Sequence, residues 1–328
     1  MTRLRILSED DVRAAIDTDR ALDLARRTLK DQAAGGSLLA TPPTMSLDAK
    51  PQGGPSFKFR AATVGHLGVS GIRLISRRTP TGPGASEYSA IYRHEGTAIA
   101  GLVSESWLSR IRTAAFGAAV FEHLVNPGPV VVALFGTGRI SDEMVYMLDR
   151  TLEVSEVRVQ SRRGESMAKF VAQHSPKVPF PLRAEHDARR MVEGADLVIT
   201  LTESPDPLVF PQALKPGAVV CSMGSYNELD FGVLSGSQRF IVDDPEYASS
   251  WGDGGAWISQ GRLTRDEFMA RIDALACDVV AGKKPGRTSS TERIVALLQG
   301  MAIGDIAFAA HALNEAEKSG RGTLVDLP

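Results

Sequence analysis

The chain has 328 residues, 43% of them hydrophobic and 23% charged, and a formal net charge of −2. The length predicts two domains, because a domain commonly holds about 100–200 residues. The near-neutral charge gives no basic field for nucleic acid, and no apolar run reaches the roughly 18 residues that a membrane-spanning helix needs. We therefore expect a cytoplasmic globular enzyme that acts on a small molecule and binds neither nucleic acid nor membrane.

The first 126 residues predict a helical region followed by an antiparallel sheet. Apolar residues recur at helical spacing over residues 8–34, where Ser8 is a candidate N-cap and Gly35-Gly36 ends the helix. A turn or loop is predicted over residues 79–84 and a helix over residues 106–124. Strands are predicted at 57–64, 71–76, 87–92 and 98–103.

From Val130 the pattern changes to alternating strands and helices, which is typical of a parallel sheet. Val130 to Phe135 is an apolar run, as in a strand buried on both faces. Further strands are predicted at 157–160, 197–201, 218–223 and 240–242, and helices at 143–152, 165–173 and 188–192. From residue 263 to about 318 we expect mostly helix. The predicted fold class is α/β, with a Rossmann doubly wound sheet.

A glycine-rich turn follows the strand that ends at Phe135. Gly136 permits a tight turn, Gly138 removes a Cβ that would block a diphosphate, and Ser141 stands where a third glycine is usual. The N–H groups that open the next helix would face the anion. A structural turn is the alternative, but the strand before it and the helix after it favour dinucleotide binding. The turn residues expected to bind the cofactor are Gly136, Thr137, Gly138, Arg139 and Ile140.

The next strand ends at Gln160, and Ser161, Arg162 and Arg163 follow it. An NAD site usually has an acidic residue near this point to bind the ribose 2′-hydroxyl, and none is present. Arginine binds phosphate well through paired hydrogen bonds. We therefore expect NADP or NAD as the cofactor and favour NADP. The alternative is that these arginines belong to a solvated loop.

With these features the chain resembles the ornithine cyclodeaminase/mu-crystallin family. The order and spacing of several short stretches carry the resemblance: RTAA from Arg112, TLT from Thr200, LKPGA from Leu214, MGS from Met223, ELD from Glu228, GKKPGR from Gly282 and GMAIGD from Gly300. The resemblance implies a Rossmann domain at residues 127–304, inserted into a second α+β domain of residues 1–126 plus 305–328. That second domain would bind substrate and form a homodimer. The active site would lie in the cleft between the domains.

The resemblance also implies roles for individual residues. Arg112 matches the arginine that binds the substrate carboxylate, and a guanidinium suits that group. Asp230 matches the catalytic carboxylate, which could exchange a proton with the substrate nitrogen. A surface ion pair for Arg112 and a helix N-cap for Asp230 are the alternatives. Further cofactor contacts are implied at Thr113, Thr200, Thr202, Met223 and Gly224.

Two positions depart from the family pattern. A neutral Thr44 stands where relatives have an arginine, and Arg73 stands where they have a lysine, with Lys58 a less well spaced match. Arginine stays protonated, so Arg73 could bind an anion but could not act as a base. These changes put in doubt a specificity for ornithine. We assign no metal site, because the two cysteines, Cys221 and Cys277, and the scattered histidines lack metal-ligand spacing.

The resulting hypothesis is an NAD(P)H-dependent oxidoreductase that reduces C=N bonds or oxidises C–N bonds, such as an imine reductase or an amino-acid dehydrogenase. Arg112 and Arg73 would hold the substrate acid group, and Asp230 would handle the proton on nitrogen. One alternative is a cyclodeaminase that releases ammonia without net cofactor turnover. Another is a protein that binds the cofactor or a small ligand and has lost catalysis.

Overall fold

The computed structural model of the chain describes residues 2–49, 54–77, 86–96 and 98–327. The chain forms two compact units. One, which we call the split unit, is Met1–Thr113 with Met301–Pro328, and the other, the inserted unit, is Ala114–Gly300. The loop predicted at residues 79–84 lies outside the described residues.

The split unit is built on a mainly antiparallel sheet. Its helices are α1 (Glu9–Ala15), α2 (Thr18–Ala33), the start of α3 (Leu108–Phe121), and α12 (Ala302–Ser319). Its strands are β1 (Thr2–Leu7), β2 (Ser37–Leu39), β3 (Met45–Asp48), β4 (Ser56–Val64), β5 (Val69–Arg77), β6 (Ser86–Arg93), β7 (Ile99–Ser104) and β16 (Thr323–Leu327). Among the described residues the order is β16-β1-β7-β6-β5-β4-β2, with β3 also on β4. The four predicted strands are confirmed.

Two features of this unit differ from the prediction. The helical region over residues 8–34 is two helices, because Ile16 is extended and Asp17 caps a new helix through the N–H of Arg20. Ser8 is confirmed as an N-cap and forms a capping box with Asp11. Strands β1 and β16 were not predicted. They pair with each other although they lie near opposite ends of the sequence. Neither segment alone therefore shows that it forms a strand.

The sheet of the split unit has two distinct faces. Arg60, Ala62 and Val64 of β4 point to a buried face, which α12 covers. A Cβ at Gly71 of β5 would lie 2.6 Å from Ile306 of α12, so the helix packs directly on the backbone of the strand. The opposite face carries exposed apolar side chains, among them Ile72.

The inserted unit is an α/β fold whose strands are all parallel. Its strands are β8 (Val130–Phe135), β9 (Val154–Gln160), β10 (Leu182–Ala184), β11 (Leu197–Thr200), β12 (Val219–Ser222), β13 (Arg239–Val242), β14 (Ala274–Leu275) and β15 (Ile294–Leu297). Its helices are α4 (Arg139–Thr151), α5 (Gly164–His174), α6 (Ala188–Val192), α7 (Phe231–Ser235), α8 (Pro245–Ala248), α9 (Gly252–Ser259), α10 (Arg265–Arg271) and α11 (Ala276–Val280), after the remainder of α3.

The strand order is β10-β9-β8-β11-β12-β15-β13-β14. The chain moves outward from β8 to β10 and then returns to the other side of β8, so the order reverses between β8 and β11. Such a reversal opens a crevice at the carboxyl ends of the strands, where dinucleotides bind in doubly wound sheets. The predicted α/β class and Rossmann topology are confirmed.

The prediction of mostly helix from residue 263 to about 318 was wrong in its middle part. Ile294–Leu297 forms β15, which lies between β12 and β13 in the sheet. All four of its residues are buried. A short apolar run has no periodicity that separates a buried strand from a buried helix. The tertiary pairing therefore decides its structure.

Candidate functional site

The turn between β8 and α4 has a backbone suited to a diphosphate. Gly136 has a φ of 104°, and a Cβ there would lie 2.4 Å from the backbone oxygen of Leu201. Gly138 is the N-cap of α4, and in the described part of the chain no atom beyond its two neighbours lies within 4 Å of the position of its missing Cβ. The fold itself therefore requires the first glycine. The second leaves open space at a helix N-terminus, where free N–H groups and the helix dipole attract anions.

A cavity of about 710 Å³ opens at this turn and extends between the ends of β9 and β11. Its size lies within the usual range of cofactor and ligand sites. Arg139 and Ile140 begin α4 beside it. The predicted cofactor residues that line the cavity are Gly136, Thr137, Gly138, Ser161, Arg162, Arg163 and Thr202. The structure thus brings together residues that are up to 66 positions apart, from Gly136 to Thr202.

Arg162 and Arg163 are exposed on the cavity wall at the end of β9. Neither guanidinium has an ion-pair partner within the part of the chain that the structure describes. The Ser161 hydroxyl donates to the carbonyl of Arg163 at 3.1 Å and shapes this loop. The two charges therefore remain available to an anionic ligand.

Glu228 is a buried carboxylate at the ends of β11 and β12 that the sequence analysis did not single out as a site residue. Its Oε1 accepts hydrogen bonds from the Thr202 N–H at 2.7 Å and the Thr202 hydroxyl at 2.5 Å. Its Oε2 accepts from the Thr200 hydroxyl at 2.8 Å. Burial raises the pKa of Glu228, and the hydrogen bonds from Thr202 and Thr200 oppose that rise. The only signal in the sequence was its place in the family-like ELD stretch.

Three further residues that were predicted to contact the cofactor lie at the ends of β11 and β12. Thr200, Met223 and Gly224 are buried, and the N–H of Met223 donates to the carbonyl of Thr200 at 3.0 Å. A Cβ at Gly224 would lie 1.8 Å from Oε2 of Glu228, so a larger residue there would displace that carboxylate. The cofactor contacts predicted for these residues remain predictions.

Asp230 is half-buried and is the N-cap of α7. Its Oδ1 accepts from the N–H of Gly232 at 2.8 Å. The N-cap that the sequence analysis held as an alternative is therefore present. It occupies one carboxylate oxygen, and a role for Asp230 in proton transfer remains a prediction.

The split unit contains a second cluster of charged residues, between the buried face of its sheet and α12. Arg60 and Arg73 are cross-strand neighbours on that face, and Ser89 continues the row on β6. Asp305 enters from the first turn of α12. Three arginines and three acids interact in this cluster: Arg60, Arg73, Arg112, Glu87, Glu105 and Asp305.

Arg73 is held by acids of its own unit. Its Nη2 donates to Glu87 at 2.6 Å and its Nη1 to Asp305 at 3.1 Å, and its Nε lies 3.7 Å from Glu105. Burial acts to lower the pKa of Arg73, but the three carboxylates outweigh it and raise the pKa overall. The Arg73 guanidinium is permanently charged, and its Nη1 and Nη2 groups already donate to Asp305 and Glu87.

Arg112 is placed differently. Its Nε donates to Asp305 at 2.6 Å, which orients the guanidinium, while its two Nη groups form no hydrogen bond within the described residues. Thr113, the next residue, donates its hydroxyl to the carbonyl of Ser109 at 2.6 Å, so that hydroxyl is already used in α3. Arg112 therefore retains the paired donors that a carboxylate would need.

Glu105 is fully buried in this cluster. Ser89 donates to its Oε1 at 2.5 Å, and its Oε2 has no hydrogen-bond partner in the described chain. Burial raises the pKa of Glu105 to about 8, against the opposing effect of Arg73. Asp305 is also buried, but Arg112, Arg73 and Arg60 hold its pKa below the ordinary value. Near neutral pH Glu105 is therefore protonated and Asp305 is ionised.

This difference predicts a pH dependence of stability. Folded Glu105 keeps its proton up to about pH 8, whereas an ordinary carboxyl with a pKa of 4.5 has lost it. Its contribution to the free energy of unfolding is thus fully present below pH 4.5 and declines as the pH rises to 8. Glu105→Gln should flatten the decline by on the order of 1–3 kcal/mol, measured by urea unfolding from pH 5 to pH 8.

Glu317→Gln is the matched control, because Glu317 pairs with Arg93 on the surface. Its profile should follow that of the wild type. Parallel profiles for wild type and Glu105→Gln would show that Glu105 is ionised in the folded protein throughout this range.

A parallel sheet with a glycine turn, an open helix N-terminus and a cavity at the strand reversal defines a dinucleotide-binding protein of the Rossmann class. A sequence profile of the ornithine cyclodeaminase/mu-crystallin family matches residues 92–320. The chain therefore belongs to that family, as its short motifs predicted.

Known proteins of this kind are similar over much or all of the chain. A Δ1-pyrroline-2-carboxylate reductase of Bacillus thuringiensis is 25% identical over 230 residues, which are 69% of each chain. The structure of an archaeal alanine dehydrogenase dimer with bound NAD matches with a TM-score of 0.90 at 21% identity, over 100% of both chains. The structure of Thermococcus litoralis Δ1-pyrroline-2-carboxylate reductase with NADH and L-proline matches with a TM-score of 0.88 at 18% identity, over 97% of this chain and 99% of the other.

Two features are absent from the described residues. None of their helices is both long enough and apolar enough to cross a membrane. No three of their histidine, cysteine, aspartate or glutamate side chains are grouped as metal ligands. Both cysteines are buried free thiols.

Proposed function

We propose that this protein is a nicotinamide-dependent oxidoreductase that acts on C–N bonds of small carboxylate-bearing substrates. The observation that carries the proposal is the turn at Gly136 and Gly138, which opens α4 at the strand reversal of a sheet of this family. An imine reductase and an amino-acid dehydrogenase are the two directions of the same reaction.

The residues at the turn fit a dinucleotide. The space in front of Gly138 admits a diphosphate, and the cavity beside it has room for a nucleotide. A nicotinamide cofactor, when bound, supplies or accepts a hydride, so that C=N and CH–NH bonds interconvert with one proton. The chain must then bind the substrate acid group and manage that proton.

Arg112 is the side chain best prepared to bind a substrate carboxylate. Asp305 fixes its Nε and leaves both Nη groups as a pair of parallel donors. We do not extend this role to Arg73, because Glu87, Asp305 and Glu105 surround its guanidinium. For the proton we propose Asp230, whose second carboxylate oxygen has no hydrogen bond in the described chain.

The test is a panel of cyclic imines, 2-oxo acids with ammonia, and amino acids, followed by absorbance of the reduced nicotinamide. Turnover with wild type and its loss in Arg112→Gln are expected. Turnover in Arg112→Gln with an unchanged KM for the acid substrate would contradict the assignment of Arg112.

A cyclodeaminase is the second candidate, because the family to which the chain belongs includes that activity by name. Such an enzyme releases ammonia from a basic amino acid with no net change in nicotinamide absorbance. Ammonia without a change in absorbance would favour this candidate. A protein that binds the cofactor and turns over no member of the panel would be a binding protein.

For the cofactor we propose NADP(H). Arg162 and Arg163 are unpaired in the described chain, and no acidic residue follows β9 before Glu165. Exchanging both arginines for alanine should weaken NADPH binding by more than about 100-fold, because each of the two charged hydrogen bonds contributes roughly 1.5–3 kcal/mol. NADH binding should change little, since its ribose carries no phosphate.

Fluorescence titration of both reduced cofactors measures the two affinities. Arg183→Ala is the control, because Arg183 is an exposed arginine on β10, outside the cavity lining, that pairs with Glu156. An equal loss for NADPH and NADH would count against a 2′-phosphate site.

We also propose that the protein is a homodimer formed through the exposed face of the split unit. Directly opposed residues of antiparallel strands share a face, and the pairs Met45–Phe59, Leu47–Phe57 and Ile72–Ala61 place apolar side chains together. Met45, Leu47 and Ile72 are 58%, 57% and 45% exposed. A contiguous apolar patch of this kind is typical of an interface, and the solution mass from light scattering tests it.

A further inference from the structure

Thr202, at the end of β11, has a hydroxyl that already makes most of the hydrogen bonds it can form. Thr202 lines the cavity, and its hydroxyl donates its one proton to Oε1 of Glu228 at 2.5 Å. The same oxygen accepts from the N–H of Ser204 at 3.1 Å. A hydroxyl has one donor and two acceptor positions. Thr202 can therefore offer a ligand one acceptor position and no donor.

This assignment selects which part of a dinucleotide can lie there. Phosphate oxygens are acceptors only and find no donor in the Thr202 hydroxyl. Ribose hydroxyls and the nicotinamide carboxamide carry donors. The cationic end of the cavity, at Arg162 and Arg163, suits phosphate instead. One part of the cavity, at Arg162 and Arg163, thus offers positively charged donors, and another, at the Thr202 hydroxyl, offers a hydrogen-bond acceptor.

Glu228 is what holds Thr202 in this state. Its carboxylate also accepts a hydrogen bond from the Thr200 hydroxyl, and its Oε2 lies against Gly224. One side chain therefore links the ends of β11 and β12. It has no ion-pair partner among the described residues. A buried carboxylate without a cation is costly unless several donors satisfy it. The three donors from Thr200 and Thr202 serve that purpose.

We infer that Glu228 is a positioning residue for the nicotinamide-riboside half of the cofactor. By taking the Thr202 proton, it makes the end of β11 a hydrogen-bond acceptor that receives a ribose hydroxyl or the carboxamide N–H. This inference rests on the proposed dinucleotide function. It goes beyond that function by assigning one half of the ligand to one end of the cavity and by naming the side chain responsible.

The experiment compares two ligands on the full-length protein. NADPH contains both halves, and adenosine 2′,5′-bisphosphate contains only the phosphate-bearing half. Thr202→Val removes the hydroxyl at nearly constant shape, and Thr202→Ser retains it. We expect Thr202→Val and Glu228→Met, which removes both carboxylate oxygens, each to weaken NADPH binding about tenfold. Neither should alter binding of the bisphosphate, and Thr202→Ser should bind both ligands like the wild type.

A variant that carries the substitutions at both Glu228 and Thr202 shows whether Glu228 acts through the Thr202 hydroxyl or only stabilises the fold. If Glu228 acts through the Thr202 hydroxyl, Glu228→Met adds nothing to Thr202→Val, whereas independent effects multiply. Multiplying effects, or equal losses for both ligands, would overturn the inference. If Glu228→Met does not fold, the comparison of Thr202→Val with Thr202→Ser decides alone, and equal NADPH affinity in the two overturns it. Failure of wild type to bind NADPH, NADH and the bisphosphate alike would instead overturn the proposed function, and the inference with it.

Discussion

Gly138→Ala is expected to abolish most cofactor binding and to leave the fold intact. Apart from its two chain neighbours, no atom of the described residues lies within 4 Å of the added Cβ, and the backbone of Gly138 has a φ of −91°, which any residue adopts. The methyl group would occupy the space that the diphosphate needs. Forced packing of this kind costs about 1–3 kcal/mol, so the affinity for NADPH should fall by roughly 10- to 100-fold. Isothermal calorimetry measures the affinity, and thermal unfolding checks the fold.

Two other glycines serve as controls. Gly96→Ala adds a methyl group to equally open space in the split unit and should change neither quantity. Gly136→Ala meets a backbone oxygen at 2.4 Å and requires a positive φ, so it should lower the melting temperature as well as the affinity. Normal NADPH binding by Gly138→Ala would remove the observation on which the proposed function depends.

Arg73→Met is expected to cause the largest loss of stability. The substitution leaves Glu87, Glu105 and Asp305 buried without the guanidinium that contacts all three. Removing one partner from a buried charge cluster typically costs about 3–5 kcal/mol, because the remaining charges cannot be solvated. The free energy of unfolding in urea should fall by about that amount.

Arg93→Met is the matched control. Arg93 pairs with Glu317 on the surface at 2.7 Å, and such pairs contribute about 0–1 kcal/mol. Arg73→Lys keeps the charge but not the fork of donors, so an intermediate loss is expected, and it remains measurable if Arg73→Met does not fold. Equal stability of Arg73→Met and Arg93→Met would show that the cluster does not stabilise the split unit.

The sequence alone was sufficient for features that depend on neighbouring residues. The apolar run from Val130 to Phe135 identified β8 with its bounds. The glycines after it indicated that a helix follows, although α4 begins at Arg139, four residues before the predicted start. Both signals are local, because burial on two faces requires a continuous apolar run and a tight turn requires glycine. The Rossmann topology followed from the alternation of such signals.

Only the tertiary structure decided how distant residues meet. Arg73 was expected to face a substrate, yet its nearest partners include Asp305, 232 positions away. Glu228 carried no periodicity or spacing that would link it to Thr200 and Thr202. Ile294–Leu297 is a strand because β12 and β13 flank it. A local pattern reports whether a residue is buried, whereas the partner of a buried polar group depends on which strands and helices pack together.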